Sequence, residues 1–560
     1  MGNKQANQGI SRRNFLKGTT VAAAGFAVTG LAGCGGQSEG KPTGNLPDSW
    51  DSEADVVVVG LGAAGLSASI AAKMAGVEHV LALEVAPEEL SGGTTRVSGD
   101  MLMIPESVDD AITYQTELNA GYEVPEDLMK AWAEGVCENM AWLSDELGYD
   151  LQPATAASPE FPGIPGGDKI KTYYVDGICG MSSLWLPLKD TADELGVEIM
   201  YDTRATELIY NYETKEVYGL IAGGKAIKAN KGVVLACGGF AANPEMLKNY
   251  SVSLGCPRSF VCGSPYNVGD GVRMAQQIGA DLWHMNSYAA ASTCVRAESP
   301  DSLVCNIPYP MGVDYIYVNN EGKRFMYEEL RGTLRHGKGK ERGVWPLLAV
   351  PTPSYMIMGK DTGAKDILGA VTYMAWPVIM ETGKTTNQEL IDAGIMIKAD
   401  TIEELAEKIG YPPETLAETI ATYNQYCAEG TDKDFGRGNA VYDDYYFNAA
   451  DASTAYGEGE LSSDETAIIK AFPIQPIEPP FYAIEIALGL LNTQGGAKRN
   501  GMSEVLDLNG QPIPRLYSAG EFGSIYGYMY NGGGNISEAV STGRIAGEQC
   551  AALEPWDAKQ

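Results

Sequence analysis

A glycine motif that follows a short apolar run constrains the fold more than any other part of this sequence. Residues 56–59 are four consecutive valines, which predict a buried strand, and the motif G-x-G-x-x-G follows at Gly60, Gly62 and Gly65. The first glycine permits a tight turn, the second lets backbone N–H groups approach a pyrophosphate, and the third lets the next helix pack closely on the strand. A helix of small residues is predicted to follow through Met74, and its N-terminus favours phosphate charge.

An acidic residue lies where this motif requires one. Residues 79–83 predict a second strand that ends in Glu84, about 20 residues beyond the motif. A carboxylate at that position can accept hydrogen bonds from ribose hydroxyls. The motif alone is compatible with a glycine-rich turn without function, but strand, turn, helix and acid together predict dinucleotide binding.

The N-terminus reads as an export signal and not as part of the fold. Arg12 and Arg13 form a twin-arginine pattern, followed by a weakly apolar stretch. Such signals export proteins that are already folded, which suits a protein that must first acquire a cofactor. Residues 31–34, Leu-Ala-Gly-Cys, are similar to a bacterial lipobox, in which Cys34 becomes acylated. The alternative is that Cys34 merely lies near an ordinary cleavage site.

Length and charge limit the function classes. A chain of 560 residues predicts two lobes around a shared cleft. The net charge of −33 argues against binding to nucleic acid or an anionic membrane surface; most of this charge is expected at a solvated exterior, and a basic redox partner stays open. The three histidines are scattered and no C-x-x-C spacing occurs, which argues against a metal site and against covalent haem. We therefore expect electrons to come from outside the chain. Unpatterned cysteines in an exported protein favour an oxygen-poor habitat.

Periodicity predicts the coarse organisation. An amphipathic helix is predicted at 125–148 and further helices at 401–410 and 412–428. Short strands at 198–200, 207–212, 217–221 and 233–236 predict a β-meander that returns to the main sheet. Glycine-rich turns near both ends of the chain enclose a stretch of different character. These features together predict the following segments: an export signal at 1–34, a linker at 35–50, a nucleotide-binding lobe in two parts at 51–317 and 491–560, and an inserted domain at 318–490.

Several further motifs carry a family resemblance. They are Gly92-Gly93-Thr94-Thr95, Ala236-Cys237-Gly238-Gly239-Phe240, residues 318–325 (VNNEGKRF), 430–437 (GTDKDFGR), 480–483 (PFYA) and 516–521 (LYSAGE). With the first glycine motif, they make the chain similar to the superfamily of FAD-dependent fumarate reductases, flavocytochromes and 3-ketosteroid dehydrogenases. The resemblance implies an α/β fold in which a Rossmann-like FAD-binding domain is split by an inserted α+β capping domain. It also implies FAD as the cofactor, with the substrate held between the two lobes.

The resemblance also assigns cofactor contacts. Glu521 is similar to the family's ribityl- or backbone-contacting acid, and residues 533–537 to the segment near the flavin pyrimidine, where a helix N-terminus stabilises anionic reduced flavin. The predicted cofactor-binding residues are Gly60, Gly62, Ala63, Ala64, Gly65, Glu84, Gly92, Gly93, Thr94, Thr95, Gly99, Asp100, Gly238, Gly239, Glu521, Asn535, Ile536 and Ser537.

The departures from the family are informative about the substrate. Residues 491–496 read LNTQGG where fumarate reductases have HHTMGG, and Tyr530 stands where those enzymes have a substrate-clamping arginine. Residues 357–365 offer no clear counterpart of the family's acid arginine. A dicarboxylate requires bidentate cationic partners, whereas a tyrosine hydroxyl can donate a hydrogen bond to a neutral ketone oxygen. The sequence therefore argues against fumarate and for a less charged α,β-unsaturated carbonyl compound.

The predicted catalytic residues are tyrosines and one charged pair. Tyr530 and Tyr528 are the candidate donors to the substrate carbonyl, although alternating tyrosines can also be plain packing. Glu328 and Arg331 share a face if this segment is helical, which predicts a surface ion pair; the resemblance offers a proton relay instead. Arg335 and His336 are more typical of surface residues.

The predicted function is reduction of an activated C=C bond, with hydride from flavin N5 and electrons from an external respiratory donor, such as a cytochrome or quinol-linked protein. Two alternatives stay open: an FAD-dependent 3-ketosteroid-type dehydrogenase, and a lipid-anchored electron-transfer flavoprotein without turnover of its own. Export by the twin-arginine route and a lipid anchor predict a location at the outer face of the cytoplasmic membrane.

Overall fold

The secondary structure is that of a mixed α/β protein. The computed structural model describes residues 46–154, 160–161, 164–251, 260–299, 302–306, 313–326, 328, 334–336, 338–339, 353–367, 373–376, 386–437 and 474–556. Its strands are β1 (Ser52–Val59), β2 (Val80–Leu83), β3 (Leu102–Pro105), β4 (Leu151–Pro153), β5 (Ile170–Val175), β6 (Glu198–Met200), β7 (Ala205–Asn211), β8 (Glu216–Ala222), β9 (Lys225–Leu235), β10 (Phe260–Val261), β11 (Leu282–Trp283), β12 (Tyr288–Ser299), β13 (Ser302–Asn306), β14 (Tyr315–Val318), β15 (Leu334–Arg335), β16 (Lys338–Gly339), β17 (Ser354–Met358), β18 (Tyr373–Trp376), β19 (Met396–Ala399), β20 (Phe481–Thr493), β21 (Gly496–Ala497), β22 (Glu504–Leu506) and β23 (Pro512–Ser518).

The helices include those that the sequence predicts. They are α1 (Ala63–Met74), α2 (Val108–Asn119), α3 (Glu126–Ala141), α4 (Trp185–Glu194), α5 (Pro244–Tyr250), α6 (Asp270–Gln277), α7 (Lys360–Gly363), α8 (Asn387–Asp392), α9 (Ile402–Ile409), α10 (Pro413–Glu429) and α11 (Gly534–Ala551). The helix predicted to run through Met74 is confirmed as α1. The three later helix predictions are confirmed by α9, α10 and by α3, which continues into a π-helical turn at Trp142–Glu146. Among the described residues, every helix is too short or too polar to span a bilayer.

A parallel sheet forms the centre of the first lobe. The order β23-β9-β1-β2-β6 is parallel throughout, with Val56 opposite Val80 on one side and Gly232 on the other. Residues of β1 and β2 are buried almost throughout, as expected for strands covered on both faces. The carboxyl ends of β1, β2, β9 and β23 therefore meet at one edge, where ligands bind in folds of this type.

Helices α1 and α11 pack against each other at very short range. A Cβ built on Gly543 would lie 2.4 Å from the Ala64 carbonyl oxygen, and one on Gly547 would lie 2.2 Å from that of Ala68. Only glycine permits this approach at either position. It fixes the N-terminus of the last helix beside the glycine motif.

The predicted β-meander is wrong in one of its strands, β6. Strands β7, β8 and β9 form the predicted antiparallel meander, but β6 does not belong to it. β6 instead pairs in parallel with β2, with Leu83 opposite Met200. Because β2 is buried, the backbone N–H and C=O groups along both of its edges need hydrogen-bond partners. The crossover through α4 brings β6 to the edge that β1 leaves open.

A second sheet contains the long strand β20 at its centre. Strands β17, β12, β10 and β19 all pair with β20, and β14, β13 and β18 extend the sheet outward. Strands β10, β12 and β13 precede residue 318 in the sequence and share this sheet with strands that follow it. The domain boundaries at 318 and 490 stay a prediction.

Candidate flavin and substrate site

The first glycine turn has the geometry that its sequence predicts. Gly60 has φ of 108°, and a Cβ built on it would lie 2.4 Å from the Ala236 carbonyl oxygen. A Cβ on Gly65 would lie 1.9 Å from the Gly60 oxygen. Helix α1 begins directly after Gly62, which has no side chain to cap it, so backbone amides alone face the end of β1.

A second glycine loop lies against the first. Gly92 has φ of 112° and rests on the Trp185 ring, while a Cβ on Gly93 would lie 4.0 Å from the Gly62 Cα. Thr95 joins the two loops because its Oγ1 accepts a hydrogen bond from Ala63 N at 3.0 Å. Two glycine-lined backbones thus face each other, with the small Thr95 side chain between them, which is a cradle suited to a pyrophosphate.

Glu84 lies at the end of β2, beside the first glycine turn. Its side chain is buried, and its Oε1 accepts a hydrogen bond from Ala86 N at 2.9 Å. Burial raises the pKa of this carboxyl, against the lowering effect of backbone hydrogen bonds that include the Ala86 amide. The position agrees with the predicted ribose contact, and the contact itself stays a prediction.

A third turn, at the end of β9, is tied to Glu521. The carboxylate accepts a hydrogen bond from Gly239 N at 2.7 Å and from Asn267 Nδ2 at 3.5 Å. Asn267 also donates to Thr94 Oγ1 at 3.1 Å, so this network reaches the second glycine loop. Gly238 has φ of 67° at this turn. Burial raises the pKa of Glu521 to about 7.

The start of α11 is held by the side-chain amides of Asn535, which was predicted at this site, and of Asn492 and Gln494, which sequence reasoning missed. Asn535 Oδ1 accepts from Gln494 Nε2 at 2.9 Å, and Asn535 Nδ2 donates to Gln494 Oε1 at 2.8 Å. Asn492 Nδ2 donates to Asn535 Oδ1 as well, at 3.1 Å. Ser537, in the same helical turn as Ile536, donates its amide to Gly533 O and is fully buried. Polar residues at the end of an otherwise apolar strand were the available signal.

A buried ion pair lies behind these amides and was also missed. Arg499 and Glu538 are both fully buried, and Arg499 Nη2 donates to Glu538 Oε1. Glu538 also accepts from Ser524 Oγ at 2.6 Å and Ile525 N at 2.9 Å, while Arg499 donates to the Gly520 carbonyl oxygen at 3.2 Å. Desolvation raises the pKa of Glu538 and lowers that of Arg499. The pair therefore ties the turn after β23 to the first turns of α11.

Asp100 lies in a different setting from the glycines around it. It is fully buried with φ of 51°, and Ser98 Oγ donates to its Oδ1 at 2.9 Å. Burial raises the pKa of Asp100 to about 7. Gly99, which precedes it, accepts a hydrogen bond from Gly180 N. The predicted flavin contact of both residues stays a prediction.

The tyrosines of the segment after β23 divide between two sides. Tyr526 and Tyr530 are buried and pack edge to face, with ring centroids 5.2 Å apart. Tyr528 instead stacks on Tyr122, which is exposed, at 5.9 Å. The Tyr530 ring therefore contacts Tyr526, whereas Tyr528 stacks on Tyr122 at the border of the same apolar cluster. Burial raises the pKa of Tyr530 above its ordinary value, so its hydroxyl keeps its proton at neutral pH.

His336 was expected at the surface, and this expectation is wrong. The residue is only 4% exposed, and its ring packs edge to face against Tyr530 at 5.1 Å. Its Nδ1 accepts a hydrogen bond from Ala290 N at 3.2 Å, and its Nε2 lies 2.9 Å from Glu160 Oε2. Residues far apart in the sequence create this buried site, which local composition does not reveal.

Glu328 is not part of a surface ion pair. It is fully buried and receives two hydrogen bonds from Arg324, at 2.8 and 2.7 Å. Arg324 also contacts Asp432 with two hydrogen bonds of 2.9 Å, and Arg437 lies 3.6 Å from Glu328. Arg331 lies outside the described residues, so the predicted relay stays a prediction.

The cradle of three glycine turns, the acid at the end of β2 and the helix N-terminus beside Glu521 define a flavin-dependent oxidoreductase. Residues 55–536 match the FAD binding domain family, and the chain belongs to this family. The residues present fit FAD, because glycines line the loops that a pyrophosphate must approach and polar groups lie at both ends of the cradle. Residues 9–29 match the twin-arginine translocation signal, so the predicted export signal is confirmed.

Known proteins resemble the chain over most of its length. Digoxin reductase of Eggerthella lenta is 29% identical over 605 residues, which cover 98% of each chain. The crystal structure of 3-ketosteroid delta1-dehydrogenase from Sterolibacterium denitrificans superposes with a TM-score of 0.69 at 21% identity, covering 90% of this chain and 100% of that one. The open conformation of a flavocytochrome c3 fumarate reductase gives a TM-score of 0.64 at 25% identity, with 90% and 78% covered.

These similarities confirm the predicted superfamily, the fold class and the cofactor. The protein is an FAD-dependent oxidoreductase of the class that acts on CH–CH groups. Its relatives include proteins named as reductases, such as urocanate reductase, and proteins named as dehydrogenases, such as 4-oxocyclohexanecarboxylate 2-dehydrogenase.

Proposed function

We propose that the protein reduces the activated C=C bond of an uncharged α,β-unsaturated carbonyl compound, with electrons from an external respiratory donor such as a cytochrome or quinol-linked protein. One observation carries this proposal. A buried tyrosine, Tyr530, lies shortly before helix α11, at the position where the family resemblance places the substrate-clamping arginine of fumarate reductases.

The buried arginines support the preference for an uncharged substrate. Arg324 holds Glu328 and Asp432, and Arg499 holds Glu538. Arg437 donates to the carbonyl oxygens of residues 313 and 315 at 2.6 Å. Each of these guanidinium groups is engaged with protein partners, and a dicarboxylate needs such groups to offset its lost hydration.

The surroundings of Tyr530 suit a neutral carbonyl group. Bound FAD supplies the hydride that reduction of a C=C bond requires. The Tyr530 hydroxyl keeps its proton at neutral pH and can donate a hydrogen bond to the carbonyl oxygen, where enolate charge develops.

A named relative supports this assignment. Digoxin reductase is aligned with this chain along 98% of both sequences. By its name, that protein acts on digoxin and not on a dicarboxylate. The presence of dehydrogenases among the relatives shows that direction is not fixed by fold alone.

An anaerobic reoxidation experiment tests the proposal. The FAD-loaded protein is reduced with a viologen and mixed with neutral enones, fumarate, urocanate or cinnamates while the flavin absorbance is followed. Saturable reoxidation by neutral enones is expected, with fumarate much slower. Fumarate turnover faster than that of every enone would refute the substrate assignment. Flavin bleaching by a saturated ketone without any donor would favour the dehydrogenase, and no response to any compound would favour electron transfer alone.

We also propose that Cys34 is acylated and anchors the exported protein at the outer face of the cytoplasmic membrane. The support is the sequence of residues 31–34, with small residues before the cysteine and a polar linker after it. Cys34→Ala should release the protein from the membrane fraction and abolish labelling with a fatty-acid probe. Unchanged membrane association would contradict the anchor.

A further inference from the structure

A buried histidine and a partly buried carboxylate meet beside Tyr530, and the proposed mechanism does not use them. His336 follows β15, and Glu160 belongs to the segment before β5. Their side chains lie 2.9 Å apart, and the His336 ring contacts the Tyr530 ring edge to face. Two segments separated by 176 residues thus meet at the proposed donor.

The hydrogen bonds fix the state of the imidazole. Ala290 N, in β12, donates to His336 Nδ1, so the proton of a neutral ring lies on Nε2. Nε2–H then donates to Glu160 Oε2. A ring held at both nitrogens cannot rotate without breaking one of these bonds, so the edge that it presents to Tyr530 is fixed.

Glu160 extends the same network to the backbone beside Tyr530. Its amide donates to Asn531 Oδ1 at 2.9 Å, and Tyr114 OH donates to the same oxygen at 2.7 Å. Asn531 Nδ2 in turn donates to the Gly532 carbonyl oxygen at 2.7 Å. A Cβ on Gly532 would lie 3.8 Å from Glu160 Oε1, so the carboxylate borders this segment directly.

Both the ring and the backbone of Tyr530 therefore depend on this pair. His336 and Tyr526 pack against the ring at 5.1 and 5.2 Å, with interplanar angles of 79° and 77°. Two edge-to-face contacts of this kind restrict rotation of the phenol. A displacement of about 1 Å at a reacting group can cost about 100-fold in rate.

We propose that His336 and Glu160 are positioning residues, which hold the Tyr530 hydroxyl in place for the substrate carbonyl. The pair joins the hairpin β15–β16 to the first lobe at the site itself, so Tyr530 is correctly oriented only when the hairpin is docked. This role rests on the proposed function of Tyr530, but the orientation of the ring can be measured without a substrate.

Three variants separate the contributions. His336→Phe keeps a ring against Tyr530 and removes both hydrogen bonds. His336→Gln places an amide N–H where Nε2–H lies and removes the ring. Glu160→Gln keeps an acceptor and removes the charge.

A second histidine–carboxylate pair provides the matched control. His79 Nε2 lies 2.9 Å from Glu198 Oε2, but both side chains are about half exposed, at 43% and 58%. His79→Gln and Glu198→Gln repeat the same chemical changes far from Tyr530.

The first measurement uses 3-fluorotyrosine placed only at position 530 of the FAD-loaded protein, observed by fluorine NMR. His336→Phe and Glu160→Gln should shift or broaden its resonance, while His79→Gln leaves it unchanged. Resonances that superimpose on that of the parent in all His336 and Glu160 variants would overturn the proposal, as would an equal change in the control variants.

The second measurement is the single-turnover reoxidation of reduced protein by the enone that the parent uses fastest. His336→Phe should lower this rate about 10- to 100-fold with a smaller change in KM, and His336→Gln should recover part of the loss. Reoxidation by dioxygen, which does not need Tyr530, should stay within about twofold of the parent. A parent that no enone reoxidises would refute the proposed function, and the fluorine resonance would still decide whether the pair positions Tyr530.

Discussion

Replacing Glu538 with glutamine isolates the energetic role of the buried pair with Arg499. Glutamine keeps an oxygen for the amide of Ile525 and the hydroxyl of Ser524, but leaves the Arg499 guanidinium without its counter-charge. Arginine cannot lose its proton in a protein, so the buried charge persists. Removing one partner of a buried pair costs about 3–5 kcal/mol. The free energy of unfolding in urea should fall by this amount.

The reciprocal variant should behave differently with pH. In Arg499→Met, Glu538 is buried without its cation, and burial already raises the pKa of this carboxyl in the intact protein. The folded form of the variant therefore takes up a proton at a pH where the unfolded chain, with a carboxyl pKa of about 4.3, does not. The folded state binds more protons in this window, so stability falls as pH rises through it and recovers as pH falls. Glu538→Gln has no such carboxyl and should show no such dependence.

The assay is urea unfolding of FAD-loaded and FAD-free protein, with Lys130→Met as the control. Lys130 pairs with Glu134 at 3.5 Å on the surface, and both side chains are largely exposed. Such pairs contribute about 0–1 kcal/mol. A cost below about 1 kcal/mol for Glu538→Gln, or a stability of Arg499→Met that does not vary with pH, would refute the reasoning.

Four further substitutions have defined outcomes. Tyr530→Phe should lower enone reduction about tenfold or more with flavin content unchanged, whereas Tyr528→Phe should have a smaller effect because its ring stacks on the exposed Tyr122; equal losses would contradict the division of the tyrosines. Gly65→Ala places a methyl group 1.9 Å from a carbonyl oxygen and should abolish FAD retention on gel filtration; a yellow, stable variant would contradict the close approach of Gly65 to Gly60. Because the pKa of Glu521 is raised to about 7, the stability of the parent should fall as the pH rises from about 4.3 to 7. Glu521→Gln should remove this decrease. A pH dependence of urea unfolding that is the same in parent and variant would contradict the burial of this carboxyl.

Local patterns predicted the cofactor cradle because each of its parts lies within a few consecutive residues. The turn at Gly60, the acid at Glu84 and the helix after Gly62 follow from backbone sterics and periodicity alone. Tyr530 was predicted differently, because it stands at the arginine position of the family motif, and its role stays a prediction.

The remaining parts depend on pairings between distant segments. His336 lies between an arginine and a glycine, a polar context that predicts exposure, and only Glu160 and Ala290 explain its burial. Arg499 and Glu538 likewise form an ion pair although 39 positions separate them in the sequence. The pairing of β6 with β2 completes the hydrogen bonds of a buried strand. A hydrophobic run of four residues does not specify which strand will pair with it.

Strand β20 has a consequence for how this protein can change in evolution and in the laboratory. Its middle pairs with β17 and β19, while its last residue, Thr493, accepts the amide hydrogen of Phe240 beside the third glycine turn. Side chains alternate along a strand, so inserting one residue would turn every later side chain to the opposite face. Thr493 would then take the place of Gln494, and the two hydrogen bonds between the Gln494 and Asn535 side-chain amides would be lost. Single-residue insertions in this strand should therefore be tolerated far less than insertions in the turns at its ends.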